Sequence, residues 1–135
     1  MGDPEMLQPE GLPEPIGQYS HVARARPEQL IIVAGQVALD ERGELVGEGD
    51  FDAQVRQVFH NLEQALIGAG ASLSSVMKFT TYLTRVEDLV AFRRVRQDLF
   101  ADLYPEGRYP ANTLLVVTRL VSPAFLVEIE AIAAV

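Results

Sequence analysis

Two carboxylates on a strand-like stretch are the first place to look for chemistry in these 135 residues. From Phe125 to Val135 the side chains alternate between two faces. Phe125, Val127, Ile129, Ala131, Ala133 and Val135 make one face wholly apolar, and the other carries Leu126, Glu128, Glu130 and Ile132. An unpaired carboxylate is costly to bury, so that second face must meet water, a partner chain or a ligand. Upstream, Tyr109-Pro110-Ala111-Asn112-Thr113 offers an amide and a hydroxyl but no charge. Arg93, Arg94 and Arg96 form the densest basic cluster, and Arg96 falls near the centre of an apolar helical stripe, an odd place for a cation. Either its aliphatic stem packs while the head reaches an exposed edge, or Arg93 or Arg96 supplies a cation for an anion site or an acidic partner. His21 and His60 are the only histidines, and neither has the partners of a metal triad or of a serine-histidine-aspartate site. With no cysteine there is no thiolate nucleophile and no disulfide framework. Gly47-Glu48-Gly49-Asp50 has no lysine and a repelling aspartate, so it reads as a turn and helix cap, not a phosphate loop.

The elements that must hold these residues follow from periodicity. Residues 1–15 contain prolines 4, 9, 13 and 15 and four acidic residues, and form an extended or loosely docked acidic tail, with one domain over 16–135. Tyr19–Ala25 and Leu30–Gly35 read as a hairpin turning at Arg26-Pro27-Glu28. Asp50 caps a helix whose Phe51, Val55, Val58, Phe59, Leu62 and Leu66 share one face, with Gly68 and Gly70 at its end. Val76–Leu83 alternates, with Met77, Phe79 and Leu83 on one side and Lys78, Thr80 and Tyr82 on the other. A second helix covers roughly Val86–Leu103, and two strands follow at Thr113–Leu120 and Phe125–Val135. This order predicts an α+β fold, a mixed β-sheet of about six strands with two helices packed on one face.

The chain resembles the RidA (YjgF) family from about Ile16 to Ala133. The resemblance is carried by Ile16-Gly17-Gln18-Tyr19-Ser20, Val33-Ala34-Gly35-Gln36, Asp50-Phe51 with Gln54, Asn61-Leu62, Ala69-Gly70-Ala71, Val76-Met77-Lys78-Phe79-Thr80, Pro110-Ala111-Asn112-Thr113 and the Glu128 strand. It implies a chorismate-mutase-like homotrimer with small-molecule ligands in clefts between subunits, and no cofactor or metal. It implies hydrolysis of 2-imino or 2-enamino acids to 2-oxo acids and ammonia. Glu128 then matches the glutamate that positions water, Tyr19 the pocket wall, and Gly35 a backbone close to the ligand. Gln18 stands where the pattern has a proline and Arg96 where it has an aromatic residue, and three pocket positions also depart: Ala34 stands for a serine, Arg93 for an asparagine, and Asn112 for the arginine that holds the substrate carboxylate. With Thr113 these complete the candidate ligand-binding set.

Losing a charge-assisted pair typically removes about 2–5 kcal/mol of binding, so efficient turnover of the family's usual imino acids is not expected. The readings left are a deaminase-like hydrolase with a different substrate, a non-catalytic metabolite binder, and a protein-interaction trimer. The net charge of −8 argues against a nucleic-acid partner. No apolar run approaches a membrane span and residues 1–15 lack a signal-peptide core, so a cytoplasmic location is expected.

Overall fold

The computed structural model describes residues 3–135. Strands β1 (Glu5–Leu7) and β2 (Val22–Arg24) form a small antiparallel sheet. Strand β3 (Leu30–Gln36), helix α1 (Phe51–Gly68), strand β4 (Val76–Leu83), helix α2 (Leu89–Leu103), and strands β5 (Ala111–Val116) and β6 (Val127–Ala134) make the body. Its four-stranded sheet runs β3-β6-β4-β5, with β4 and β5 parallel and the other pairs antiparallel. Among the described residues this is a mixed α+β architecture of six strands and two α-helices, the strands divided four and two.

Helix α1 starts where expected, because the Asp50 carboxylate accepts the Ala53 amide at 3.1 Å, satisfying an otherwise unpaired first-turn donor. It stops at Ala69-Gly70, where Gly70 takes φ +80°, a conformation that favours glycine. Its stripe of Val55, Val58, Leu62 and Leu66 is fully buried against the apolar face of β6, where Val127, Ile129, Ala131 and Ala133 are also buried. Helix α2 is preceded by a short 3-10 turn, Val86–Asp88, so the expected helix begins three residues later as regular α. Phe59, Phe79, Phe100, Tyr104 and Tyr109 join the helices to the sheet as an aromatic cluster with ring centroids 4.8–6.4 Å apart.

The expected hairpin between Tyr19–Ala25 and Leu30–Gly35 does not form. β2 pairs with the extended N-terminal segment, Glu5 opposite Arg24, and β3 pairs with β6. Long-range pairing wins because β6 offers β3 a continuous apolar face, Ile31 and Val33 opposite Ala133 and Ala131. The acidic tail is thus stitched to the body: Arg24 bonds Glu5, the Gln8 side chain accepts the His21 amide at 3.0 Å, and Ser74 donates to Asp3 at 3.2 Å. Two bulges also escape a strict alternation. One at Met77 leaves Val76, not Met77, fully buried, and the other falls at Ala34-Gly35. The last two strands are shorter than the sequence suggests, since Thr118–Leu120 and Phe125-Leu126 lie outside the ladder. Among the described residues, no helix is long and apolar enough to cross a membrane.

Candidate functional site

The segment leading into β2 is held beside β5. The Ser20 amide donates to the Pro110 carbonyl at 3.1 Å, its hydroxyl to the Tyr109 carbonyl at 2.6 Å, and Ser20 bridges Ala111 in parallel register. Ile16, Gly17 and Tyr19 are thereby set against the start of the edge strand. With Leu89, Arg93 and Arg96 of α2 and Asn112, Thr113, Leu114 and Val116 of β5, they line a cleft of about 430 Å³. That volume suits a small metabolite. The sequence-derived candidates Tyr19, Arg93, Asn112 and Thr113 thus share one cavity.

Asn112 is only partly free. Its amide oxygen accepts the Thr81 hydroxyl at 3.0 Å, which leaves the NH₂ as the donor available to a ligand. Thr81, a polar residue buried on the core face of β4, fixes that orientation. Sequence reasoning passed over it, although a threonine between Phe79 and Leu83 on a core-facing register is itself a signal.

Arg96 departs from its expected packing. Its head does not reach an exposed edge: the residue is 4% exposed, and its Nε has no hydrogen-bond partner. The guanidinium lies 5.1 Å from the centre of the Phe92 ring. Burial, and then repulsion from Arg93, pull its pKa down to about 10. Among the described residues neither Arg93 nor Arg96 forms an ion pair, whereas Arg94 of the same helix reaches Asp52 at 2.6 Å.

A second cluster lies across the sheet. Glu128 is half-buried, and its carboxylate sits against the backbone of Gly35, so close that a Cβ added there would overlap it. The bulge at Ala34-Gly35 and the missing side chain together make that approach possible. Burial, and then the neighbouring Glu130, raise the Glu128 carboxyl above its ordinary range. Glu130 accepts the Tyr82 hydroxyl at 2.5 Å, so the two glutamates on this face have different surroundings. Ala34 is exposed beside them and contributes no hydroxyl.

Two amides of α1, the buried Gln54 and the half-buried Asn61, hold the two segments of this second cluster. Gln54 donates to the carbonyls of Gly47 and Ala124, each at 3.0 Å, and accepts the Leu126 amide at 2.9 Å, fixing the chain two residues before Glu128. Asn61 donates to the carbonyls of Val37 at 3.0 Å and Leu39 at 2.8 Å, fixing the chain just after Gly35.

The two clusters do not meet in one chain. The cleft is at the β5 edge, Gly35 belongs to the opposite edge strand β3, and Glu128 is absent from the cleft lining. Among the described residues, no group of three His, Cys, Asp or Glu side chains could hold a metal ion.

A model of the family described as Endoribonuclease L-PSP matches residues 10–135. A RutC family protein of Pyrococcus horikoshii is 38% identical over 130 residues, covering 96% of each chain. A 3-aminoacrylate deaminase RutC of Acinetobacter baylyi is 34% identical over 129 residues, again covering 96% of each. Among solved structures, a protein of the conserved Rid family from Yersinia pestis superposes with a TM-score of 0.86 at 32% identity, covering 99% of this chain and all of that one.

Proposed function

This chain belongs to the RidA/YjgF (endoribonuclease L-PSP) family, and from that premise we propose that it is a deaminase-like hydrolase of small imine or enamine metabolites. The observation that carries the reading is the Glu128 carboxylate, partly desolvated, raised in pKa, and free of the hydrogen bond that occupies its neighbour Glu130. The similarity to a protein named 3-aminoacrylate deaminase supports the same class of reaction.

In the reaction so read, Glu128 holds a water and takes its proton as the oxygen attacks the carbon of the C=N bond. The raised pKa suits a carboxylate that must keep that proton briefly and return it to nitrogen. The resulting carbinolamine passes its hydroxyl proton to nitrogen and breaks its C–N bond, releasing ammonia and leaving the ketone or aldehyde; an enamine enters the same sequence after its carbon takes a proton to give the imine. Gly35 gives the substrate and the carboxylate room at the backbone, and Tyr19 walls the cleft. The Asn112 NH₂ and the Thr113 hydroxyl supply only uncharged donors on β5, so a substrate carboxylate is held more weakly there than in the arginine-bearing pocket.

The cleft and the Glu128 cluster lie apart in one chain, and a homotrimer bringing the cleft of one subunit to the Glu128 face of the next supplies both halves. Leu30, Ile32 and Ile132 favour such contact, being well exposed on the sheet face the helices leave uncovered. A ribonuclease reading is disfavoured by the net charge of −8 and by Glu128 and Glu130 on that same face.

The test is ammonia release from freshly generated 2-aminoacrylate, 2-iminobutanoate and 3-aminoacrylate. The natural chain should accelerate at least one, and Glu128→Ala should lower that rate by about 100-fold or more, the scale of a lost general base. A Glu128→Ala chain as fast as the natural one would sink the reading. Inertness of the natural chain with retained ligand binding would favour the second reading, a metabolite binder, for which the uncharged Asn112 is the supporting observation.

A further inference from the structure

We propose that Glu130, pinned by the Tyr82 hydroxyl, acts on the reaction through Glu128: it is a positioning residue whose fixed negative charge decides how readily its neighbour takes up a proton. This role rests on the reaction proposed above, in which Glu128 is the base.

The geometry begins with the ladder. Tyr82 of β4 stands directly opposite Glu128 of β6, and Thr80 stands opposite Glu130. The Tyr82 side chain nevertheless crosses the diagonal, a reach that aromatic residues have on a sheet, and its hydroxyl donates to Glu130 at 2.5 Å. A hydroxyl on a carboxylate makes a charge-assisted bond, roughly twice as strong as one between neutral groups. Tyrosine thus gives its one donor to the far glutamate and leaves the near one without it. Glu128 and Glu130, two residues apart on one strand, share one face of the sheet. Glu130 cannot turn away from its neighbour without giving up the Tyr82 bond.

Little else on this face competes with that charge. From β4 come Tyr82 and Lys78, the latter opposite Ile132, four residues along β6 from Glu128. From β3 come Leu30 and Ile32, and from β5 Thr113 and Leu115, none of them titratable. The helices lie on the other face of the sheet. Among the described residues, neither glutamate nor Lys78 forms an ion pair. No cation therefore cancels Glu130, and its charge adds to burial in raising the Glu128 carboxyl. Two equivalent carboxylates this close would share one proton between them. The hydroxyl makes them unequal: it occupies an oxygen of Glu130, and the incoming proton goes to Glu128.

The experiment is a carboxyl-carbon NMR titration of Glu128 in the natural chain, Glu130→Gln and Tyr82→Phe. The pH dependence of kcat/KM is measured beside it, on whichever of 2-aminoacrylate, 2-iminobutanoate and 3-aminoacrylate turns over fastest. A base works deprotonated, so the rate rises with pH through the Glu128 midpoint. Glu130→Gln keeps an oxygen for the Tyr82 hydroxyl and removes only the charge. Its Glu128 midpoint and acid limb should both move to lower pH by about 0.5–1 unit, the scale of one neighbouring charge at a partly screened face. Tyr82→Phe should move both the same way by less, with a shallower curve, because the released Glu130 then takes part of the proton uptake. Glu106→Gln, which removes the same charge from the exposed turn after α2, should move neither. A Glu128 midpoint unchanged in Glu130→Gln would overturn the proposal, and so would a midpoint that moves while the acid limb stays. Should Glu130→Gln fail to fold, Tyr82→Phe decides in the same sense. A chain inert toward all three substrates, with the midpoint still lowered in Glu130→Gln, would refute the proposed reaction and leave the pairing of the glutamates standing. Hydrolysis lost in Glu128→Ala, with the acid limbs of the other variants coincident, would do the reverse.

Discussion

At the scale of single residues, Glu128 and Gly35 behave as a pair. Any side chain at position 35 competes with the carboxylate for one volume. Gly35→Ala is expected to lower kcat far more than it raises KM, because it displaces the carboxylate proposed to hold the water and spares the cleft, and steady-state kinetics on the best substrate would check this. The raised Glu128 pKa also has a stability consequence. The folded chain binds this proton more readily than the unfolded one, so stability falls as pH climbs from the ordinary value of 4.5 through the raised one. Glu128→Gln cannot ionise, and it should melt higher than the natural chain at pH 7 while the difference closes near pH 4. Melting curves across that range test it, and a constant offset would refute it. Glu128 was legible in the sequence because two acids on an apolar strand are conspicuous. Arg96 was conspicuous too, but its isolation from every acid was not. Which side chains converge on a buried cation is decided by residues far away in the chain.

At the scale of elements, α1 does more than cover the sheet. Gln54 and Asn61, each a weak signature on its own, join the helix to the segments that carry Glu128 and Gly35. Gln54→Leu would leave the Leu126 amide and the Ala124 carbonyl without partners, at about 1–3 kcal/mol for each unsatisfied group, while the Gly47 carbonyl keeps the Asp50 amide. We expect a large loss of stability by urea denaturation, and a loss of activity greater than the unfolded fraction explains. The cap, the stripe and the glycine end of α1 were all readable, since each depends on neighbours within a few residues. The pairing of β2 with β1, and of β3 with β6, was not. A short connection suggested a hairpin, and only the competing apolar face of a strand about a hundred residues later shows why it does not form. The bulges at Met77 and Ala34-Gly35 were hidden for the same reason, as each is defined by its partner strand.

At the scale of the whole molecule, the separation of the two halves of the proposed site makes assembly and activity one question. Ile32 is 66% exposed on the uncovered sheet face, opposite Ile132. Ile32→Glu should disturb the fold of one chain little while repelling a neighbour, so analytical ultracentrifugation should report smaller particles and turnover should fall with them. Full activity from a monomer would show that one chain suffices. The sequence suggested this face through Glu128 and Glu130, but the separation of Tyr19, Asn112 and Arg93 from Glu128 required the strand order.

The cleft wall also has an optical consequence. The chain has no tryptophan and only four tyrosines, so these dominate its near-ultraviolet absorption and emission. Tyr104 is buried with its hydroxyl on the Leu73 carbonyl, Tyr109 stacks on Phe100, and Tyr82 is tied to Glu130. Tyr19 alone among them lines the cleft, edge-on to His21 at 5.7 Å. A change in tyrosine fluorescence on adding a ligand, absent in Tyr19→Phe, would therefore report occupancy of that one cavity without any attached dye.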